Sequence, residues 1–296
     1  MDKRIIDISG ESAYLSVRNE QLIIKRGDLQ DSVPLEEIAA LIVAHPAVQY
    51  THAVLNGLCE CGGSFIVCDE KKMPAGILMP LSGHSIQTER FAAQIGASAP
   101  LKKRLWEQVI KAKILAQAKL LKEIHGDGFG LPYMASKVRS GDPANIEGQA
   151  SRRYWPALFG INFTRKPVSS DNVNVLLNYG YAIVRSMTAR SLCASGLHPS
   201  IGIHHHNRYN AFCLADDLME PFRPTVDKAV VNVLNFFGHD WPLNKESKGL
   251  LLTTILEARF NVDGEMRTLF DALQKSTSSL AEVFTGKRRK LTLFKP

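Results

Sequence analysis

The chain has 296 residues, 45% of them apolar, and a formal net charge of +7, with an isoelectric point near 9.1. That is enough chain for one large domain or two ordinary ones with real cores, and the excess of cations favours a polyanionic partner, most simply nucleic acid. No apolar run approaches the roughly 18 residues of a membrane span, and the start, MDKRIIDISGES, enters a strand pattern without a signal-peptide core, so a cytoplasmic protein with no membrane partner is expected.

The first part of the chain reads as mainly β. RIIDIS, SAYLSVRN and QLIIKR place β-branched or aromatic residues at alternate positions, with Arg18-Asn19-Glu20 as a hairpin connection. A further strand is expected around Ile38 to Val43. VQYTHAVLNGLCECG reads as a helix closed by Gly62-Gly63, and SFIVCD and AGILMP read as two more strands. DEKKMPAG and PLSGHS then supply breakers. The expected division is a β domain over residues 1–76, a linker over 77–85 and a helical domain over 86–296, an α+β chain overall. The five cysteines, Cys59, Cys61, Cys68, Cys193 and Cys213, are odd in number and lack paired C-x-x-C spacing. They read as reduced packing thiols rather than a disulfide framework or a zinc ribbon.

From Ile86 the period becomes helical. RFAAQIGA is short, whereas LKKRLWEQVIKAKILAQAKLLKEI is long, with Leu105, Val109, Ile114, Ala118 and Leu121 near one face and lysines around the rest. Helices are also expected in YMASKVRSG, ANIEGQASRRYWPALF, NVNVLLNYGYAIVRSMTARSLCASG, around Leu214 to Glu220, in TVDKAVVNVLNFF, and twice near the C-terminus. The tail GKRRKLTLFKP is a basic run, read either as a DNA contact or as a solvated, loosely ordered end.

Chemistry concentrates in GIHHHNRYNAFCLADDLMEPFRP, residues 202–224. On a helix, Asp216, Asp217 and Glu220 approach one face, where like charges repel by a few tenths of a kcal/mol per pair, at ~0.2–0.5. A divalent cation would offset that repulsion, and a solvated acidic turn beside Arg223 is the alternative. His204, His205 and His206 are consecutive, so in an extended segment His204 and His206 face one side and His205 the other. One ligand histidine with two partly exposed neighbours is preferred over three surface histidines. Gly202 permits a close turn against a neighbouring segment. In NIEGQASRRYWPALFG, Glu147 sits in the first turn of a helix, where a carboxylate is also favoured by the helix dipole alone. Arg152 and Arg153 follow, beside Tyr154 and Trp155, of which Trp155 is expected in the core.

The order EGQASRRYW, then D-x-x-N-x-x-L-N-Y-G-Y from Asp171 to Tyr181, then G-x-H-H and LADDLMEPFRP, resembles the CRISPR-associated integrase that captures new spacers, the first of the numbered CRISPR-associated proteins. NYGYAIVRS, GIHHHNRYNAF and LADDLMEPFRP resemble most the subtype found beside a single large RNA-guided effector nuclease. The resemblance covers essentially the whole chain. It implies that Glu147, His205 and Glu220 are catalytic metal ligands, with Asp217 in a supporting place or on metal-bound water. Two carboxylates and one imidazole suit Mg2+ or Mn2+ rather than structural zinc.

The implied reaction is insertion of prespacer DNA into a CRISPR repeat by direct attack of a 3′-OH, with no nucleotide cofactor and no covalent protein–DNA intermediate. Implied partners are prespacer and repeat DNA, a second copy through the β domain, and the small second acquisition protein. The effector nuclease is a further candidate. Lys102, Lys103, Arg104, Lys111, Lys113, Lys137, Arg139, Arg152, Arg153, Arg165 and Lys166 are the cations expected to guide DNA, largely without regard to sequence. Two other readings compete: a metal-dependent nuclease acting on branched DNA in repair, and a non-catalytic DNA-binding scaffold.

Overall fold

The computed structural model describes residues 4–70, 72–80, 83–166 and 171–295. It divides into two units, residues 1–83 and 84–296. Leu81 and Ser82, inside the expected linker, lie outside the described residues.

The first unit holds two four-stranded sheets rather than one small sheet. In one, β1 (Arg4–Ile8), β5 (Ile38–Val43) and β7 (Ser64–Cys68) run parallel and β8 (Pro74–Leu78) closes the edge antiparallel to β7. All six residues of β5, IAALIV, are buried, as befits a central parallel strand covered on both faces. In the other sheet β2 (Tyr14–Arg18), β3 (Gln21–Arg26) and β4 (Leu29–Pro34) form an antiparallel meander, with the short β6 (Gln49–Tyr50) parallel to β2. Arg18 pairs with Gln21, and Asn19 and Glu20 between them both have positive φ, 50° and 60°, the two-residue turn whose twist matches its strands. The helix α1 (His52–Glu60) turns Val54 and Leu58 into a core with Leu15, Leu22, Ile38, Leu41 and Phe65.

The second unit is helical, as its 3.6-residue periodicity predicts: α2 (Gln87–Ile95), α3 (Ala99–His125), α4 (Leu131–Lys137), α5 (Ile146–Phe159), α6 (Asn172–Ala194), α7 (Cys213–Met219), α8 (Arg223–Phe237), α9 (Lys245–Glu257) and α10 (Leu269–Phe284). The long α3 starts with Pro100 in its first turn and stops at Gly126, whose φ of 77° only glycine adopts without cost. It packs against α4, α5 and α8, while α6 packs against α7, α8 and α10. A hairpin absent from the sequence reading, β9 (Arg259–Val262) with β10 (Glu265–Thr268), follows α9. Among the described residues no helix is long and apolar enough to cross a membrane.

The basic tail is a packed strap, neither a loose end nor an open DNA contact along its whole length. Leu291 N–H donates to Gln108 on α3, Thr292 N–H to Ser279 on α10, and Lys295 N–H to the Asn261 carbonyl on β9. The Phe294 ring lies 5.0 Å from Phe222 and 4.9 Å from Phe260, centroid to centroid. The alternating LTLFK pattern thus buries Phe294 beside the turn that carries Glu220, while Lys287, Arg289 and Lys290 stay exposed.

Candidate metal centre

Glu147 is set by the start of α5. Asn145, at φ 49°, caps the helix by accepting from Gly148 N–H. Asp142 accepts from both Ile146 N–H and Glu147 N–H at 2.9 Å. Four free N–H groups open any helix; three of them here are taken by two short acidic or amide side chains. The Glu147 backbone is therefore fixed while its side chain, about a third exposed, points toward α3.

Glu220 sits at a corner. EPFRP places Pro221 and Pro224 in the first turns of a 3-10 segment and of α8, ending α7 and redirecting the chain. The side chain is 7% exposed, and two cations flank it: Arg223 Nε at 2.9 Å from Oε1 and Lys113 Nζ at 2.7 Å from Oε2. Burial pushes this carboxyl up, but Arg223 and Lys113 outweigh burial and hold it at about 2. The same Lys113 ammonium donates to Glu147 Oε1 at 2.6 Å, and Ser151 donates to that oxygen at 3.3 Å. One cation thus joins carboxylates from α5 and the 220–222 turn. Lys113, expected among the DNA-guiding cations, is instead buried between two acids. Burial works against its charge, yet Glu220 and Glu147 raise its pKa and keep it an ammonium. A sequence signal existed, since Lys113 stands four residues after Val109, within the buried stripe of α3.

His205 is held by Asp217. This fully buried carboxylate accepts from the backbone N–H of Ile203 (2.7 Å), His204 (2.9 Å) and His205 (3.1 Å), and pairs with His205 Nδ1 at 2.6 Å. The bond to Asp217 raises the His205 pKa against the opposing effect of burial. With Nδ1 engaged, Nε2 is the nitrogen left to meet another partner. The close wrap requires Gly202: a Cβ there would lie 2.1 Å from the His205 carbonyl oxygen and 2.8 Å from Asp217 Oδ2. Trp106 on α3 closes the loop from the other side, stacked on His204 at 4.0 Å and 2° and edge-on to His205 at 5.6 Å. The expected in-out alternation of the histidines fails for this reason: the loop is bent, and both His204 and His205 meet Trp106. The three carboxylates of the turn also part company. Asp216 receives Asn210 Nδ2 at 2.7 Å, Asp217 caps the histidine loop, and only Glu220 reaches Lys113.

Behind Glu220 lies a second buried network. Asp227 on α8 accepts from Tyr154 Oη at 2.6 Å and from Tyr181 Oη, and the Arg223 guanidinium lies 4.7 Å over the Tyr181 ring. Burial pushes the Asp227 carboxyl up to about 6 despite both tyrosine hydrogen bonds. Its contribution to stability is therefore full below its unfolded pKa of 3.8 and is lost as pH rises through about 6. A loss on the order of 3 kcal/mol follows from about 1.4 kcal/mol per unit. Denaturation between pH 4 and 8 should show the stability of wild type relative to Asp227→Asn falling across that window; a flat difference would contradict the account.

The expected ligands are thus partly gathered. Glu147 and Glu220 share one cation, and His205 lies close enough to Glu220 for each to shift the other's pKa. Among the described residues no three His, Cys, Asp or Glu side chains stand close enough together, as placed, to hold a metal ion; an ammonium fills the point between the two carboxylates. The donor set still fits a divalent ion. It offers two carboxylates, one of them with an oxygen, Glu220 Oε2, that has charge contact but no aligned hydrogen bond, and an imidazole whose far nitrogen is fixed by a carboxylate. A cavity of about 600 Å3 is walled by Pro221, Pro224 and Phe260, and none of the three expected ligands lines it.

Of the expected DNA-guiding cations, Lys103, Arg104, Lys137, Arg139, Arg152, Arg153 and Lys166 are exposed and Lys102 is half-buried. Lys103 lies against Gly141, on the loop leading to Glu147. Lys111 pairs with Glu107 at 2.7 Å. Arg165 is turned inward, donating to Asn174 and Asn178 at 2.8 and 2.6 Å, so it anchors α6. Trp155 is half-buried among Tyr154, Phe159 and Phe163.

The family described as CRISPR associated protein Cas1 matches residues 6–237. A CRISPR-associated endonuclease Cas1 of Neisseria meningitidis serogroup C is 35% identical over 278 residues, 93% of this chain and 90% of the relative. Among solved structures, a casposase bound to integration product is similar with a TM-score of 0.80 and 18% identity, covering 99% of this chain and 94% of the casposase. A Cas6-RT-Cas1–Cas2 complex gives 0.73 and 19% over 99% of this chain and 36% of that longer one. At such identities the structures speak for the fold alone. The family match over most of the sequence, with a relative a third identical along nearly its whole length, places this chain in the Cas1 family of CRISPR-associated proteins.

Proposed function

We propose that this protein is the integrase of CRISPR spacer acquisition, in the subtype that accompanies a single large RNA-guided effector nuclease, and that Glu147, His205 and Glu220 hold Mg2+ or Mn2+ for it. The observation that carries this reading is the meeting of Glu147 and Glu220 at one cation, with His205 held by Asp217 and close enough to Glu220 for each to shift the other's pKa. When bound, the metal ion supplies positive charge at the scissile phosphate. The chain's own groups do the positioning. Asp217 sets the orientation of the His205 ring, Arg223 fixes one oxygen of Glu220, and Asp142 and Asn145 fix the backbone of Glu147. The exposed cations Lys103, Lys137, Arg139, Arg152, Arg153 and Lys166, with Lys102, hold the DNA backbone. A bond forms between the prespacer 3′-oxygen and phosphorus, the P–O3′ bond of the repeat strand breaks, and the proton passes to the departing oxygen. No nucleotide cofactor enters the balance.

The partners follow the same reading: prespacer and repeat DNA, a second copy through the β unit, and Cas2, which stands beside Cas1 in the name of one similar complex. The test is strand transfer of a 3′-OH duplex into a supercoiled, repeat-bearing plasmid with Mn2+. Joined product supports the integrase. Cleavage without joining would favour the nuclease, and DNA binding with neither would favour the scaffold.

A further inference from the structure

We propose that Lys113 is a built-in stand-in for the metal ion: its ammonium holds Glu147 and Glu220 together in the metal-free protein and must be displaced before a divalent cation can bind. This rests on the metal-site reading above and adds to it an internal competitor. Lys113 projects from the middle of α3, and its side chain is 10% exposed. Its Nζ lies 2.6 Å from Glu147 Oε1 and 2.7 Å from Glu220 Oε2. Glu220 Oε1 is committed to Arg223, so Oε2 is the oxygen open to an added cation, and the ammonium already has it. A divalent ion and an ammonium cannot share that point, because like charges at contact in a buried site repel strongly. One of them has to leave.

The arrangement also has a use. Two partly or fully buried carboxylates without a counterion would repel and take up protons; the lysine keeps them ionised and facing each other. Lysine suits the part better than arginine, since it offers a compact charge on a flexible four-carbon stem rather than a rigid fork. The site is thereby assembled before loading, at the expense of affinity for the ion, which must replace an ammonium already in contact with both carboxylates.

The experiment titrates Mn2+ into metal-free protein by calorimetry, without DNA, for wild type, Lys113→Met and Glu147→Gln. Lys113→Met is expected to bind Mn2+ at least about tenfold more tightly than wild type, a difference of about 1.4 kcal/mol in binding free energy. Metal-free Lys113→Met should melt below metal-free wild type and gain more from added Mn2+. Should the methionine variant not fold without metal, wild type provides an independent readout. Acetic anhydride labelling of Lys113, followed by peptide mass spectrometry, should rise several-fold when Mn2+ saturates the site. Unchanged or weaker Mn2+ affinity in folded Lys113→Met, or unchanged Lys113 labelling in wild type, overturns the displacement while leaving the metal site standing, provided Glu147→Gln loses Mn2+. Binding that survives Glu147→Gln undiminished would remove the metal-site reading itself, and this inference with it.

Discussion

Glu147→Ala, His205→Ala and Glu220→Ala should each lower strand transfer by about a thousandfold or more, the scale of losing a principal source of charge stabilisation in a phosphoryl-transfer site, while duplex DNA still binds. Their effects on stability should differ sharply, which separates chemistry from folding. Glu220 is 7% exposed and compensates two buried cations. Its removal leaves buried Arg223 without its carboxylate and Lys113 with Glu147 alone, and is expected to cost roughly 3–5 kcal/mol. Glu147 and His205 have side chains 32% and 46% exposed, and their loss should cost about 1 kcal/mol or less. Urea denaturation run beside the strand-transfer assay makes the comparison. Any folded single variant that still integrates at the wild-type rate removes that residue from the site.

Asp217→Ala carries the second large effect, through position rather than contact with DNA. The carboxylate is fully buried and takes three successive backbone N–H groups as well as the His205 ring. Removing it leaves three donors unmet at ~1–3 kcal/mol each and frees the ring that it orients. The expected result is a destabilisation of roughly 3–9 kcal/mol together with near-complete loss of strand transfer. Asp217→Asn keeps one acceptor oxygen and the shape, so it should fall between wild type and alanine in both respects. Wild-type melting and activity in Asp217→Ala would mean that the histidine loop is held by Trp106 and Gly202 alone.

The sequence made the architecture legible where periodicity was strong. The alternation in RIIDIS, SAYLSVRN and QLIIKR gave three strands, and the 3.6-residue stripe of α3 gave its longest helix. It was silent on partition into sheets, because β1 and β2 alternate alike yet join different sheets through pairing with β5 and β3. The hairpin of β9 and β10 went unread since RFNVDGEMRT is short and mostly polar, although its Asp263-Gly264 turn was a usable sign. In the tail, the run of Lys and Arg masks the aromatic that anchors it among Phe222 and Phe260, Phe294.

At the site, the ligand types and their order along the chain could be read, because spacing and motif survive in one dimension. The electrostatic partners could not. Helical spacing put Asp216, Asp217 and Glu220 on one face, but the prolines at 221 and 224 turn the chain at Glu220, and the three carboxylates end on three different partners. Lys113 looked like one cation among many on a basic helix. Only its register with Val109 hinted that it points inward, to acids supplied by segments far along the sequence.

The most direct test is anomalous diffraction at the manganese edge from crystals soaked in Mn2+. One strong peak should appear bonded to a Glu147 oxygen, to His205 Nε2 and to Glu220 Oε2, with the Lys113 ammonium moved off both carboxylates. A fully soaked crystal with no peak there, or with a peak that leaves any of the three side chains unbound, would contradict the account.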